Sequence, residues 1–500
     1  MTKFRPWTVV LLVILATALL RIHLIDAPLE RDEGEYAYAG QLMLQGIPPY
    51  RLACNMKLPG TYAAYALIMA AFGQTVAAIH LGLLLVNAGA IVLIYILGRR
   101  LFSVSAGLAA CAAYALLSVG AGVLGTQAHA THFVVLAALA GLWLLLRYTD
   151  SARPWTLFWS GVLFGVAFLM KQHGILFGMF AAGYLVANRQ WKKLPLFLAG
   201  AAAPFALTCL ILWWAGVFGR FWFWTFTYAR RYVSENSLSD GAAALAETFW
   251  SILRESGALW ILAAAGLPAL RGRSRYFVGF LLVFSFAAVC PGLYFRGHYV
   301  VLMLPVVALL AGSFVRGRVS GWVFAAALVM SVVIQRDFLF RMSPLEISRE
   351  LYGQDPFPEA IPMASYIRSH TRPDALIAVL GSEPEIYFYA HRHSATQYLY
   401  TEPLVEAQPF ALQMQNDMVG QLERNAPAYV VRFPIEETLS LGADSPTRIF
   451  DWWADYGPKH YQIVGIADIQ PDGHTEYRWD AAAEAYQPQS LYHLAVYRRR

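Results

Sequence analysis

A polytopic α-helical membrane protein of about 11–13 spans, followed by a soluble C-terminal α/β domain, is the fold class that this chain predicts. Three observations lead there. Of its 500 residues 58% are hydrophobic and 14% charged, whereas about a quarter of an ordinary soluble protein is charged. The apolar residues are concentrated, because Met1 to about Gln335 reads as one hydrophobic run after another, while Arg336 to Arg500 has globular content. The Lys and Arg residues of the first part gather in short connections between the runs. That last pattern gives the net charge of +6 a topological meaning and excludes a nucleic-acid-binding stripe.

The first run, MTKFRPWTVVLLVILATALLRIHL, starts like a signal peptide, and Ala16-Thr17-Ala18 resembles a cleavage pattern. The run continues through Leu20 and resumes at Ile22, giving roughly the twenty residues of a span, so it is expected to remain as the first one. Further candidate spans cover 76–97, 104–122, 131–147, 156–171, 174–188, 195–217, 253–269, 275–291, 299–315 and 319–335. Basic groups at Lys3/Arg5, Arg99/Arg100, Arg147/Arg153, Arg189/Lys192/Lys193, Arg271/Arg273/Arg275 and Arg316/Arg318 fall in every second connection. The positive-inside rule makes those cytoplasmic, together with the N-terminus. Connections 26–75, 123–130, 172–173, 218–252 and 292–298 and the C-terminal domain are then outside. The count closes only if residues 59–73, apolar but short, form an interfacial helix. The expected division is a transmembrane domain, 1–336, with an outer loop at 26–75, and an extracytoplasmic α/β domain, 337–500. Cys54, Cys111, Cys209 and Cys290 are too scattered to suggest a disulfide framework or a metal site.

The first outer loop, Leu29 to Tyr65, is the most informative segment. Four acids, Glu30, Asp32, Glu33 and Glu35, follow the first span within six residues. From Glu33 to Leu44 the spacing of Tyr36, Ala39, Leu42 and Met43 suits an amphipathic helix on the membrane surface, with Asp32 as N-cap in the plain structural reading. The chain then turns at Gly46-Ile47-Pro48-Pro49-Tyr50 and re-enters the apolar phase at Lys57-Leu58-Pro59-Gly60, where a lysine could simply snorkel.

Asp32, Glu33, Tyr36, Gly46, Pro48, Lys57 and Pro59 match, in order and approximate spacing, a family of dolichyl- or undecaprenyl-phosphate-sugar transferases. The chain resembles this group, which includes the protein O-mannosyltransferases and the lipid A aminoarabinose transferase and has the GT-C fold. Leu97-Gly98-Arg99-Arg100-Leu101-Phe102, Gly165 to Gly174 and Arg296-Gly297-His298-Tyr299 before Leu304-Pro305 extend the likeness. The resemblance implies a multi-pass inner-membrane enzyme. It implies inverting transfer from a polyprenyl-phosphate-linked sugar to a lipid, glycan or protein acceptor at the outer face. Asp32 then corresponds to the base, with Glu33 as second choice. Lys57, Arg296, Lys171, His298 and Tyr299 would meet the donor phosphate. The family frequently carries an acid before the fourth span, where this chain reads GTQAHATHF; His129, Thr131 and His132, with Tyr36, are the acceptor-binding candidates. No cofactor is implied, although the acidic loop leaves room for a divalent cation. The competing reading is a transporter or lipid flippase, but the chain has no internal repeat, and its charges sit at span ends.

In the C-terminal part, Pro358 to His370 and Pro384 to His391 suit helices. Ala375–Leu380 and Ala428–Arg432 suit strands, and Tyr492–Val496 an edge strand. The stretch GSEPEIYFYAHRHS reads as strand-to-helix punctuation, and the domain is expected to cover the site or select the acceptor.

Overall fold

The computed structural model describes residues 5–434, 441 and 444–500; Lys3 of the first basic group lies outside them. Helix α1, Pro6–Ile22, opens on a proline, whose missing N–H costs nothing in a first turn. Helices α2, Arg31–Leu44, and α3, Gly60–Phe72, come next. They are followed by α4, Val76–Leu101, α5, Val104–Leu117, α6, Ala130–Ser151, α7, Pro154–Met170, α8, Ile175–Ala187, and α9, Leu194–Trp214. Thr75 and Ser103 cap α4 and α5, and Arg99 and Arg100 end α4 where its dipole favours cations. Beyond α9 a π-helical turn, Phe223–Tyr228, leads to Leu238–Gly266, which breaks helical geometry at Ser256.

By length and composition, Val76–Leu101, Ala130–Ser151 and Trp191–Trp214 are long and apolar enough to cross a membrane. Among the described residues, eight other apolar helices run 10–17 residues. The expected span 299–315 is broken into Gly297–Val300 and Leu304–Ser313, and 253–269 belongs to a helix that begins at Leu238. Glycines let the helices touch. A Cβ on Gly161 of α7 would lie 2.2 Å from the Phe197 carbonyl oxygen of α9, and one on Gly200 would meet Phe158 at the same distance. Large side chains such as Leu19, Trp214 and Trp322 point outward, an apolar surface that water would not tolerate.

Helix α3 packs beside α2 and the end of α7. Thr61 Oγ1 donates to the Met170 carbonyl at the end of α7. At its other end the chain enters α4 within three residues, and His80 of α4 meets Glu33 of α2.

The C-terminal domain has a six-stranded mixed sheet in the order β2-β1-β3-β6-β4-β5. The strands are β1, Leu376–Leu380, β2, His393–Ser394, β3, Tyr429–Arg432, β4, Tyr461–Ile469, β5, Thr475–Trp479, and β6, His493–Arg499. Helices Phe357–Ser369 and Glu385–Ala390 fall where the sequence places them. The expected edge strand is corrected: β6 is interior, hydrogen-bonded to β3 on one side and β4 on the other. Its alternation suggested an edge because β4 was not recognised as its neighbour.

Two features of α2 also differ from expectation. Glu30, not Asp32, is its N-cap, in a capping box with Glu33. Nor does α2 lie on a membrane surface, since residues Glu33 to Leu42 are buried between α3 and the C-terminal domain. Gly34 is the point of closest approach: a Cβ there would sit 2.6 Å from the backbone nitrogen of Glu385. Gly34→Ala should therefore destabilise the protein by about 1–3 kcal/mol despite the better helix propensity of alanine, read by thermal unfolding. A neutral or stabilising effect would show that the two parts are not held at this distance.

Candidate active site

The outer loop is anchored by its acids. Glu33 is fully buried, and its Oε1 accepts from the Ala128 backbone N–H at 2.6 Å and faces His80 Nε2 at 3.1 Å. Tyr65 of α3 donates to the Ala128 carbonyl at 2.8 Å. Glu33 thus fastens the turn before α6, and with it His129, to the first turn of α2. It does not line the cavity described below.

Three residues along the helix, Asp32 and Glu35 share one face, and Lys57 lies between them. Lys57 Nζ donates to Asp32 Oδ1 at 2.5 Å and to Glu35 Oε2 at 2.7 Å, and sits 4.7 Å from the centre of the Tyr36 ring. Glu35 Oε2 also accepts from Asn55 Nδ2 at 2.6 Å and from Tyr400 of the C-terminal domain at 2.7 Å, while Tyr62 donates to its other oxygen. The loop carrying Lys57 is fixed in turn by Gln172, whose side chain donates to the Met56 carbonyl at 2.7 Å.

Burial alone would raise the Asp32 carboxyl; the Lys57 ammonium overrides it and holds the group well below the ordinary carboxylate value. Burial likewise opposes the Lys57 charge, and Asp32 and Glu35 together push its pKa above the usual lysine value. His129 is pushed down to about 4, chiefly by burial, so its imidazole is neutral at pH 7.

Asp32 and Lys57 open onto a cavity of about 510 Å³. Asp32, Tyr36, Asn55 and Lys57 form one wall, and Lys171, His298, Tyr299 and Arg296 another. The C-terminal domain contributes Tyr400, Glu402 and Glu406, and an apolar stretch includes Ile175, Leu176, Phe226 and Val233. Lys171 Nζ rests 4.2 Å above the Tyr299 ring. Among the described residues, neither Lys171 nor Arg296 has a carboxylate within 4.0 Å, in contrast to Lys57. The structure therefore brings Asp32, Lys57, Lys171, Arg296, His298, Tyr299 and Tyr36 together. It keeps His129 just behind His298, their rings stacked at 4.2 Å, and leaves Thr131 and His132 buried off the cavity wall. Sequence reasoning missed Glu35, Asn55, Tyr400, Glu402 and Glu406. Only Glu35 had a local signal, its spacing from Asp32.

A family model described as dolichyl-phosphate-mannose-protein mannosyltransferase matches residues 57–214. The undecaprenyl phosphate-alpha-4-amino-4-deoxy-L-arabinose arabinosyl transferase of Pseudomonas aeruginosa (strain PAO1) is 29% identical over 226 residues, 41% of this chain. The match spans about 40% of the length of that relative. Over the whole chain the fold is similar to that of ArnT from Cupriavidus metallidurans bound to undecaprenyl phosphate. The TM-score is 0.63 at 16% identity, covering 99% of this chain and 98% of that one. The Archaeoglobus fulgidus oligosaccharyltransferase AglB, in complex with an inhibitory peptide and a dolichol-phosphate, gives a TM-score of 0.54 at 14% identity, covering 98% and 75%. The GT-C fold is thus shared over nearly the whole chain, and the family model's match over residues 57–214 agrees with the family resemblance.

If Glu33 anchors this turn, Glu33→Gln should lower stability by about 1–3 kcal/mol, because the amide carries no charge to face His80 and sets an NH2 group where Oε2 accepts from the Glu30 N–H. Thermal unfolding checks this, and an unchanged midpoint would remove Glu33 as the anchor of the turn.

Proposed function

We propose that this chain is an inverting glycosyltransferase that moves a sugar from a polyprenyl-phosphate donor to a hydroxyl- or amine-bearing lipid, glycan or protein acceptor. The observation that carries the reading is the cavity that a carboxylate, Asp32, shares with an apolar lining and two basic side chains, Lys171 and Arg296, neither of which has a carboxylate within 4.0 Å among the described residues. A lipid phosphate needs both surfaces at once: cations for the phosphate, and the Ile175, Leu176, Phe226 and Val233 wall for the first prenyl units.

In the reaction, the acceptor oxygen or nitrogen attacks the anomeric carbon as the bond from that carbon to the phosphate oxygen breaks. Asp32 takes the acceptor proton, and the electron pair of the broken bond remains on the lipid phosphate beside Lys171 and Arg296. Lys57, first assigned to the phosphate, is engaged by Asp32 and Glu35; its role in this scheme is to hold the Asp32 carboxylate ionised and aimed. The curated relative acts with an arabinose derivative and the family model with mannose, so the donor sugar is a pentose or hexose.

The same reading places the chain as a multi-pass protein of the inner membrane, with its N-terminus cytoplasmic and residues 337–500 outside, where they reach the cavity. Support comes from the alternation of basic connections. The transporter reading gains no support from the transferases that the chain matches.

Purified protein incubated with radiolabelled polyprenyl-phosphate sugars and membrane extract should transfer label, and Asp32→Asn should slow transfer by about 10²–10⁴-fold. Unchanged transfer in that variant would remove Asp32 as base, and no transfer with any donor would remove the transferase reading. Replacing Lys171 or Arg296 by Met should raise the KM for the lipid donor, with weaker binding of polyprenyl phosphate measured directly. Wild-type binding by both variants would dismiss the phosphate clamp.

A further inference from the structure

Arg296 reaches the cavity from an uncommon stretch of backbone. The chain enters the left-handed region at Gly292 (φ 77°) and Leu293 (φ 55°), and again at Phe295 (φ 43°). Residues that carry a Cβ adopt that region only where their surroundings impose it. The Arg296 guanidinium has no carboxylate partner among the described residues and lies 5.3 Å from the centre of the Tyr294 ring. Lys57 is aimed by two carboxylates, whereas Arg296 is aimed by the backbone that carries it.

What imposes the conformation comes from one stretch of chain. Asn236 Nδ2 donates to the Gly292 carbonyl at 2.9 Å, and Tyr294 donates to Glu235 at 2.7 Å while stacking on Tyr232 at 4.6 Å. The helix Leu238–Gly266 then closes on the segment. A Cβ on Gly241 would lie 2.7 Å from the Leu293 Cβ. Two turns further, Thr248 Oγ1 donates at 2.7 Å to the Phe295 carbonyl, which belongs to the peptide joining Phe295 to Arg296. Another two turns on, Glu255 accepts from the Gly122 N–H with both oxygens, at 2.8 and 3.0 Å. The Gly122 carbonyl in turn backs Gly297, where a Cβ would come within 2.4 Å of its oxygen. One helix thus braces the residues on either side of Arg296.

We propose that Thr248 is a positioning residue for the donor phosphate: its hydroxyl fixes the peptide before Arg296 and so presets the guanidinium toward the cavity. A hydroxyl within a helix ordinarily bonds back to the carbonyl four residues earlier, as Thr208 does to Pro204 and Ser256 to Ile252. Thr248 reaches out of its helix instead, to a carbonyl whose own residue is held in an unfavourable conformation. The gain lies in preorganisation. An arginine already fixed in direction meets the phosphate without the loss of freedom that a loose side chain and a mobile loop would suffer on binding. This role rests on the transferase reading, in which Arg296 faces the lipid phosphate; the bracing of the segment does not.

The test uses the full chain in nanodiscs, titrated with undecaprenyl phosphate. Thr248→Val keeps the shape of the side chain and removes the hydroxyl. It should weaken binding by about three- to tenfold and raise the KM for the donor with kcat nearly unchanged. Backbone amide exchange across residues 292–298 should quicken, and Thr248→Ser should restore all three properties. In an Arg296→Met background, Thr248→Val should cause no further loss of binding, because the residue it positions is already gone. Wild-type binding or wild-type exchange in Thr248→Val would overturn the proposal. So would an equal loss in the Arg296→Met background, since the hydroxyl would then act on the protein as a whole. If wild type itself bound no undecaprenyl phosphate, the functional reading would be rejected; if it bound and Thr248→Val matched it, only the positioning role would fall.

Discussion

Everything at the cavity depends on one ammonium group held between two carboxylates. Removing Lys57 would leave Asp32 and Glu35 on adjacent turns of a buried helix without the cation between them, and the loss of one partner from a buried ion pair commonly costs several kcal/mol. The lysine is held in place by a shell that reaches far along the chain. Asn55 and Tyr62 come from its own loop and the helix after it, Gln172 from the turn following α7, and Tyr400 from the C-terminal domain. Each satisfies an oxygen or a carbonyl that burial would otherwise leave unpaired. The geometry of Asp32 is the sum of these contacts.

The division of labour among the acids follows from helix periodicity. Asp32 and Glu35 lie on the face turned to Lys57, and Glu33 on the face turned to α4 and the turn before α6. One carboxylate is left partly open to the cavity, and the others hold the protein together. The arrangement of cations is similarly divided, with Lys57 neutralised internally and Lys171 and Arg296 left to face an incoming anion.

Much of this was legible in the residues themselves. Asp32, Lys57, Lys171, Arg296, His298 and Tyr299 share the cavity because each follows or precedes an apolar run at the same level, a property that charge and hydropathy encode. Tyr400, Glu402 and Glu406 could not be read this way, since what brings them to α2 is the packing of Glu385 against Gly34, a tertiary contact with no local pattern. Glu30 was missed as N-cap because four neighbouring acids all suit that position, and only backbone geometry separates them. Strand β4 escaped notice because it follows directly on the helix Arg448–His460, whose own last turn contains the Gly457-Pro458 pair that would otherwise read as a loop.

The contact of Tyr400 with Glu35 also has a bearing on how the protein is made. A growing chain that has completed all its apolar helices has Asp32, Lys57, Lys171 and Arg296 in hand, yet the far wall of the cavity is still missing, and Glu35 lacks one of its donors. The site closes only after the C-terminal domain, roughly the last third of the polypeptide, has folded onto α2. The order of synthesis thus makes a complete cavity the final event rather than an early one: a chain that stops before the C-terminal domain lacks the wall formed by Tyr400, Glu402 and Glu406.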